Sequence, residues 1–475
     1  MTDSNIRVRM APSPTGFFHV GSARTALFNY LFARHHGGTF VLRIEDTDAT
    51  RGTAEYEEVI YQAMNWLGLN SDENPQDGGA FEPYRQSERF DIYREYARQL
   101  QESTFAYPAY ETTEELAAMK DEQRAQKLPP RYNGAHRNLT QEQRAAFEAE
   151  GRKSVLRFAV PEGATSWNDL VRGEITWQNK EIDDFVLMKS DGTPTYNFAC
   201  AVDDALMQIS HVIRGEDGLS NTPRQIMIYN ALQKAVPQFA HVPFLLGKDR
   251  SKYSERHGAV NLMNFADDGI LPDAMFNYLA LLGWNPGEGE TQVIFSREEL
   301  IERFSLEHVG KAGAIFDKEK LEWFNIQHFK QMPIEQFAKL AAPHLLDVQN
   351  VMDADPTYAA TALDMARQRI YHLSDITAAA TYFFSDTFEQ DPKGAKHDTP
   401  EAKVLLGKLK TRLEALPEWN HDNIESAIRG LAEDENVKPA AIIHPSRYAV
   451  SGRTVGPSVF ELLEALGRER VLRRL

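Results

Sequence analysis

Arg7-Val8-Arg9-Met10-Ala11-Pro12-Ser13-Pro14-Thr15-Gly16-Phe17-Phe18-His19-Val20-Gly21-Ser22 is the stretch on which the reading of this chain turns. Val8 and Met10 alternate with Arg7 and Arg9, the period-2 pattern of a short strand with one apolar face. Pro12, Pro14 and Gly16 then impose a fixed turn. From Gly21 onward the spacing turns helical, with Ala23, Ala26, Leu27, Tyr30 and Leu31 on one face. Strand, rigid loop and helix make the first half of a nucleotide-binding βαβ unit. Backbone N–H groups and the dipole at the helix start favour a phosphate there. His19 adds a donor, and Gly21 lets a ligand approach the backbone closely.

Outward from that stretch, residues 40–44 read as a second buried strand. They run into Glu45, Asp46 and Asp48, three carboxylates where open α/β sheets place their ligands. Asp46, Asp48 and Thr50 also fit the Asp-x-Asp-x-Thr pattern of aspartate-nucleophile phosphatases, and a hydrophilic turn is the plain alternative. Helical patterns follow at residues 54–67 and 87–102. The next hundred residues read as an insertion: helices at 111–126 and 141–150, a Pro/Gly loop at 127–134, and strands at 154–160 and 174–178. Lys120, Arg124, Lys127, Arg131, Arg137 and Arg144 there could contact phosphates or form a solvated face. The sheet is expected to resume at 185–188 and to continue with a strand at 209–213 that ends in Arg214-Gly215-Glu216-Asp217. Asn221-Thr222-Pro223 starts a helix. A guanidinium at Arg214 can hold a substrate carboxylate through two parallel hydrogen bonds. It could instead pair internally with Glu216 or Asp217. From about residue 330 the pattern is helical. Ile334, Phe337, Ala341 and Leu345 share one face, as do Leu405, Leu409, Leu413 and Leu416, and Ile424, Ile428 and Leu431. A last helix after Pro457 buries Val459, Leu462, Leu463 and Leu466.

The 475 residues leave room for about three domains of ordinary size. At 42% hydrophobic and 25% charged, the composition is that of a soluble globular protein. The formal net charge of -17 excludes a uniform basic coat for nucleic acid, though not local basic patches. Cys200 is the single cysteine, so no intramolecular disulfide or multi-cysteine zinc site can form. No segment approaches the ~18 consecutive apolar residues of a membrane span, and the polar N-terminus has no signal core. A cytoplasmic location is expected.

Pro12-Ser13-Pro14-Thr15-Gly16, two residues, then His19-Val20-Gly21 resembles the first signature of class I aminoacyl-tRNA synthetases in its glutamyl and glutaminyl form. Ser22 stands where the general motif has a second histidine. The order Asp191-Gly192, Pro194-Thr195-Tyr196, Val202-Asp203-Asp204, His211 to Asp217 and Ser220 to Gln225 is similar to bacterial glutamyl-tRNA synthetases. The resemblance implies a Rossmann-type α/β catalytic domain with an inserted α+β domain, followed by an all-α anticodon-binding region. The expected division is 1–85 and 201–258 for the catalytic domain and 86–200 for the acceptor-stem insert. A stem-contact domain would take 259–330 and the helical region 331–475. The implied reaction joins L-glutamate to tRNA(Glu), with ATP as substrate and Mg2+ carried by it. Members usually require tRNA before they activate glutamate, and they are usually monomeric. Carried over, Arg9, Ser13, Glu45, Tyr196 and Arg214 hold glutamate, with Glu45 near its ammonium group. Thr15, Gly16, His19, Gly21, Glu216, Lys252 and Ser254 hold ATP, and His19 and Lys252 act on its phosphates. Arg367, Arg369 and Arg447 are candidates for tRNA contact. Some relatives have a zinc site in the insert, but here Ala109, Glu111, Ala135 and Arg137 stand in that region, so no structural zinc is expected.

Residues 245–260 depart from the family. Aligned on Gly247 and on Arg256-His257-Gly258, the second catalytic loop reads Lys252-Tyr253-Ser254-Glu255-Arg256. Its first lysine is present and its second is Glu255. A carboxylate there would repel the leaving pyrophosphate. Other functions compete. A glutaminyl enzyme would need a neutral side-chain pocket and a β-rich C-terminus. A small-molecule nucleotidyltransferase would not need the last ~150 residues. A tRNA-binding paralogue with weakened chemistry is favoured only by Glu255.

Overall fold

The computed structural model describes residues 6–14, 16–47, 54–258, 261–287, 289–345 and 347–475. The chain divides into two units. One holds Met1–Asn264 and Phe276–Asp317, and the other Phe265–Met275 and Lys318–Leu475.

The first unit is built on a parallel sheet. Strand β1 (Arg7–Met10) crosses through helix α1 (Val20–His35) to β2 (Thr39–Leu42), which pairs with it in parallel. Helix α2 (Ala54–Leu67) ends at Gly68, whose φ of +69° suits a residue with no Cβ. Helix α3 (Phe90–Glu102) follows. A three-stranded antiparallel sheet then forms from β3 (Ala106–Ala109), β4 (Val155–Phe158) and β7 (Val186–Met188). Between β3 and β4 lie α4 (Thr113–Ala125) and α5 (Gln141–Ala149), surface helices with complete capping boxes at Thr112 and Thr140. Strands β5 (Ala164–Asp169) and β6 (Gly173–Gln178) precede β7 in the chain. After α6 (Tyr196–Leu206) come β8 (His211–Gly215), α7 (Thr222–Ala231) and β9 (Gln238–Val242), giving the strand order β6-β5-β9-β8. β8 lies beside β1, where the Ser210 N–H donates to the Arg7 carbonyl at 2.9 Å. β5 and β6 thus extend the main sheet from within the 86–200 stretch.

Three local expectations differ from the structure. β1 is not half-exposed, because all four of its residues are buried and its arginines are ion-paired: Arg7 with Glu73 at 2.8 Å and Arg9 with Asp204 at 3.1 Å. Alternation of charge and apolar residue mimics an amphipathic strand, but buried carboxylates on neighbouring elements neutralise the charged face. The strand at 186–188 pairs in the small antiparallel sheet, and the main sheet takes β5 and β6 before it and β8 and β9 after it. The last helix is broken by Gly467 (φ +82°) into Val459–Leu466 and Arg468–Arg474.

The second unit is helical. The expected faces pack into one core containing Phe337, Ala341, Leu409, Leu413, Ile424, Ile428, Leu431, Val459, Leu462, Leu463 and Leu466. Leu405 and Leu416 sit at its margin, and Leu406 takes the buried position.

Candidate active site

A cleft of about 750 Å³ opens where β1 and β8 end. Parallel sheets concentrate ligands at that edge because the loops and helix starts there present free N–H groups. Its walls include Arg9, Ser13, His19, Gly21, Arg24, Tyr196, Arg214, Lys252, Ser254 and Glu255. One expected ligand, Thr15, lies outside the described residues, as do Asp48 and Thr50 of the phosphatase pattern. Asp46 accepts from the Ser87 N–H at 2.8 Å and its hydroxyl at 2.6 Å.

The signature loop is fixed at several points. His19 has extended backbone just before α1, and its carbonyl accepts the Ala23 N–H. Its exposed ring makes no capping bond. A Cβ on Gly21 would meet nothing within 4 Å, so the helix start faces open cleft. Asn29, fully buried, donates to the Ile213 carbonyl at 3.0 Å and ties α1 to β8. Arg24 donates to the Pro243 carbonyl and, at 3.2 Å, to that of Leu282. Burial lowers its pKa to about 10, with Glu216 acting in the opposite direction. Sequence reasoning missed Arg24.

The second loop folds on itself. Leu245–Leu246 pairs in parallel with Ala314–Ile315, and Leu246 bridges back to Lys252. Asp249 accepts the Ser251 N–H and hydroxyl, and these bonds hold its carboxyl below the usual range. The Lys252 ammonium stands 4.4 Å from the Phe244 ring centre, a cation–π contact on the cleft wall. Glu255 is exposed and shares that wall, and Arg256 beside it donates to the Ser251 hydroxyl. The Leu262 N–H donates to the Phe18 carbonyl at 3.0 Å, joining the segment after this loop to the signature.

Arg9 and Arg214 were both expected to hold glutamate, and the structure gives them different partners. Arg9 borders the cleft, and its Nε and one Nη are held by Asp204. Asp204 also receives Arg43 at 2.6 Å. Burial alone would raise the Asp204 pKa, yet Arg43 and Arg9 outweigh it and hold the carboxyl at about 2. Glu45 is not on the cleft wall. Its carboxylate receives Arg43 at 3.1 Å, and burial raises its pKa against that attraction. Glu216 is likewise withdrawn, accepting from Arg172 and from the Phe244 N–H at 2.7 Å. Gly16 is absent from the wall as well. The buried pair Asp203-Asp204 stood in the sequence without a role. Two adjacent carboxylates after an apolar run was the available sign of this network.

Arg214 does not pair with Glu216 or Asp217. It donates to Gln225 (2.9 Å), Thr222 (2.8 Å) and Nε2 of His241 (3.1 Å), all neutral acceptors. Among the described residues no carboxylate lies within ion-pair distance of it. Its charge is available to a ligand. Tyr196, at the start of α6 and 42% exposed, faces the same cleft.

In the helical unit Arg367 and Arg369 line a shallow groove of about 560 Å³ with Glu461. Arg367 is tied to Asp364 at 2.8 Å and to the Met332 carbonyl. Arg369 donates to the Met365 carbonyl. Arg447 is not part of that groove, and one of its terminal nitrogens is buried without a partner. In the insert, Glu111 accepts from the Tyr132 hydroxyl at 2.6 Å and lies 3.1 Å from His136, and Arg137 pairs with Asp184. Among the described residues no group of three or more His, Cys, Asp or Glu side chains is placed to hold a metal.

A parallel sheet with a cationic cleft at its carboxyl edge, a phosphate-type helix start and a separate helical unit is the arrangement of a class I tRNA synthetase. The family model for the catalytic domain of class I tRNA synthetases (E and Q) matches residues 5–323, and that for an anticodon binding domain matches residues 336–475. The chain is 49% identical to the glutamate–tRNA ligase of Moorella thermoacetica, covering 99% of this chain and 97% of that one. The corresponding ligase of Desulforudis audaxviator is 46% identical, with 99% and 95% covered. A crystal structure of a glutamate tRNA ligase from Elizabethkingia meningosepticum in complex with its amino acid superposes with a TM-score of 0.85 at 34% identity, covering 99% of this chain and 98% of that one. The chain belongs to the glutamate–tRNA ligase family.

Proposed function

We infer that this protein activates L-glutamate with ATP and transfers it to the 3′-terminal adenosine of tRNA(Glu). The observation that carries this reading is Arg214, a buried cation on the cleft wall whose protein partners are all neutral. Such a group binds an anionic side chain and gains little from a neutral amide. Tyr196 and Ser13 border the same space and would enclose the amino acid. Arg9 borders that space too, paired with Asp204, and Glu45 lies behind it in the same ion-pair network.

ATP would lie against the start of α1, with Gly21 allowing close approach and His19 and Lys252 contacting its phosphates. The glutamate α-carboxylate attacks the α-phosphorus in line, an oxygen–phosphorus bond forms, and pyrophosphate leaves. The ribose hydroxyl of tRNA then takes the acyl group and AMP departs. No enzyme side chain is covalently modified. Catalysis is positioning and charge stabilisation. Mg2+ bound to ATP would offset charge on the triphosphate. In this reading residues 1–85 and 201–258 hold the chemistry, 86–200 receive the acceptor stem, 259–330 contact the stem, and 331–475 read the anticodon. Arg367, Arg369 and Arg447 are the candidate tRNA contacts there. The protein works as a cytoplasmic monomer. Among the described residues no helix is long and apolar enough to cross a membrane.

The test is charging of purified tRNA(Glu) and tRNA(Gln) with labelled glutamate and with labelled glutamine, with and without tRNA preincubation. Glutamate incorporation into tRNA(Glu) is expected, and incorporation of glutamine alone would overturn the reading. Incorporation of glutamate into tRNA(Gln) as well would identify a non-discriminating enzyme. Lys252→Ala is expected to lower kcat roughly 100-fold by removing a cation from the developing charge, read as tRNA-dependent ATP–pyrophosphate exchange. Glu255→Lys is expected to raise the same rate about 5- to 30-fold, because it replaces repulsion of the pyrophosphate by attraction at a partly solvated site. A slower Glu255→Lys enzyme would mean that this loop has adapted to the carboxylate.

A further inference from the structure

Behind Arg214 lies a buried chain of groups that none of the motifs identified. Asp169 closes β5 and His241 lies in β9, and both side chains are fully buried. Oδ2 of Asp169 is 2.5 Å from Nδ1 of His241. Oδ1 accepts three backbone N–H groups, those of Val171, Arg172 and His241, at 3.0 to 3.1 Å. A carboxylate so surrounded by donors stays ionised. Burial pushes its pKa up, but the bond to His241 and the backbone donors outweigh that and lower it.

The imidazole therefore has a fixed tautomer. Asp169 can only accept, so Nδ1 carries the proton, and Nε2 presents a lone pair. That lone pair receives the Nε–H of Arg214 at 3.1 Å, and the Thr222 hydroxyl lies at the same distance from it. Burial lowers the His241 pKa, Asp169 opposes this, and Arg214 and Arg172 add to it, so the ring stays neutral. Arg214 has five N–H donors, of which His241, Gln225 and Thr222 take three, leaving two for a ligand. Phe239 covers the guanidinium from one side, with its ring centre 5.6 Å from Cζ, and stacks on His241 at 6.1 Å. Both the direction of the fork and its charge are set by this arrangement.

We propose that Asp169 and His241 are positioning residues for substrate selection: Asp169 fixes the tautomer of His241, and His241 aims the two remaining donors of Arg214 at the side-chain carboxylate of the amino acid. The proposal rests on the reading of Arg214 as the glutamate-binding cation. It requires an acceptor at Nε2, so reversing the tautomer breaks it without removing bulk. Asp169→Asn does this. Its amide nitrogen donates to Nδ1, the ring proton moves to Nε2, and two donors then face each other at Arg214.

The experiment measures aminoacylation of tRNA(Glu) by the full-length enzyme and by Asp169→Asn, His241→Leu and His241→Gln. Asp169→Asn and His241→Leu are expected to raise KM for glutamate roughly 10- to 100-fold, the loss of one to two charge-assisted hydrogen bonds, with KM for ATP changed less than about twofold. His241→Gln, whose carbonyl oxygen can take the place of Nε2, should recover most of the loss. Selectivity for glutamate over glutamine should fall in parallel. Nitrogen NMR should place the ring proton on Nδ1 in the wild type and on Nε2 in Asp169→Asn. An unchanged glutamate KM in a folded Asp169→Asn protein with the reversed tautomer would overturn the proposal. Equal rises in both KM values would also overturn it, since they indicate general damage. Failure of the wild-type enzyme to charge glutamate at all would instead remove the function proposed above.

Discussion

Arg214→Gln should lower kcat/KM for glutamate roughly 100- to 1,000-fold, the equivalent of about 3–4 kcal/mol for two hydrogen bonds to a charged group. The loss should fall mainly on KM, because the side-chain carboxylate is remote from the phosphorus and is bound alike in ground and transition states. Relative activity toward glutamine should rise, since a carboxamide no longer competes with a full ion pair. Gly218→Ala offers an independent check. A Cβ at that position would lie 2.5 Å from Nε and 2.7 Å from Cδ of Arg214. Three hydrogen bonds hold that side chain, so it cannot yield without losing its aim. The substitution should therefore reproduce part of the glutamate KM effect while leaving ATP binding intact. Steady-state aminoacylation at varied glutamate and varied ATP reads both variants.

The second large effect concerns stability. Asp204→Asn should destabilise the catalytic unit by about 3–5 kcal/mol, because it leaves buried guanidinium charge uncompensated. Arg43 retains Glu45 at 3.1 Å, so Arg9 is the group stranded. Calorimetric unfolding at neutral pH measures the change, and a shift of less than a degree in Tm would contradict it. The wild type carries a matching acid signature. Asp204 titrates at about 2 in the fold against 3.8 ordinarily, so its folded-state pKa is depressed. Its contribution is then fully present above about pH 4 and is lost as pH falls toward 2. In Asp204→Asn that part of the acid sensitivity should be missing.

These two sites were not equally legible. Arg214 could be singled out from a strand ending in a cation beside a glycine, but its partners could not, and Glu216 and Asp217 were the obvious local carboxylates. The structure turns Glu216 toward Arg172 and the Phe244 N–H, and gives Arg214 neutral acceptors instead. Arg9 was read as a ligand-binding cation because it matches a position that holds glutamate in the family. That position does place it at the cleft, and the same position buries it, where an internal carboxylate makes its charge tolerable. Glu45 was read beside the ammonium of the amino acid, and the structure pairs it with Arg43, two residues back at a buried strand end.

What the sequence determined by itself is whatever near neighbours in the chain encode. Strand β1, the proline-glycine turn and helix α1 follow from periods of two and of about 3.6 residues, as do the helices beyond residue 330. The two motif loops are contiguous, so each could be located from its own residues. Tertiary structure alone decided which charges cancel and which remain. Arg9 meets Asp204 from 195 positions away, and His241 meets Asp169 from 72. Such partners are chosen by which strands and helices become adjacent. In a buried setting an unpaired charge is costly, so that adjacency decides which arginines meet an internal carboxylate and which meet only neutral acceptors.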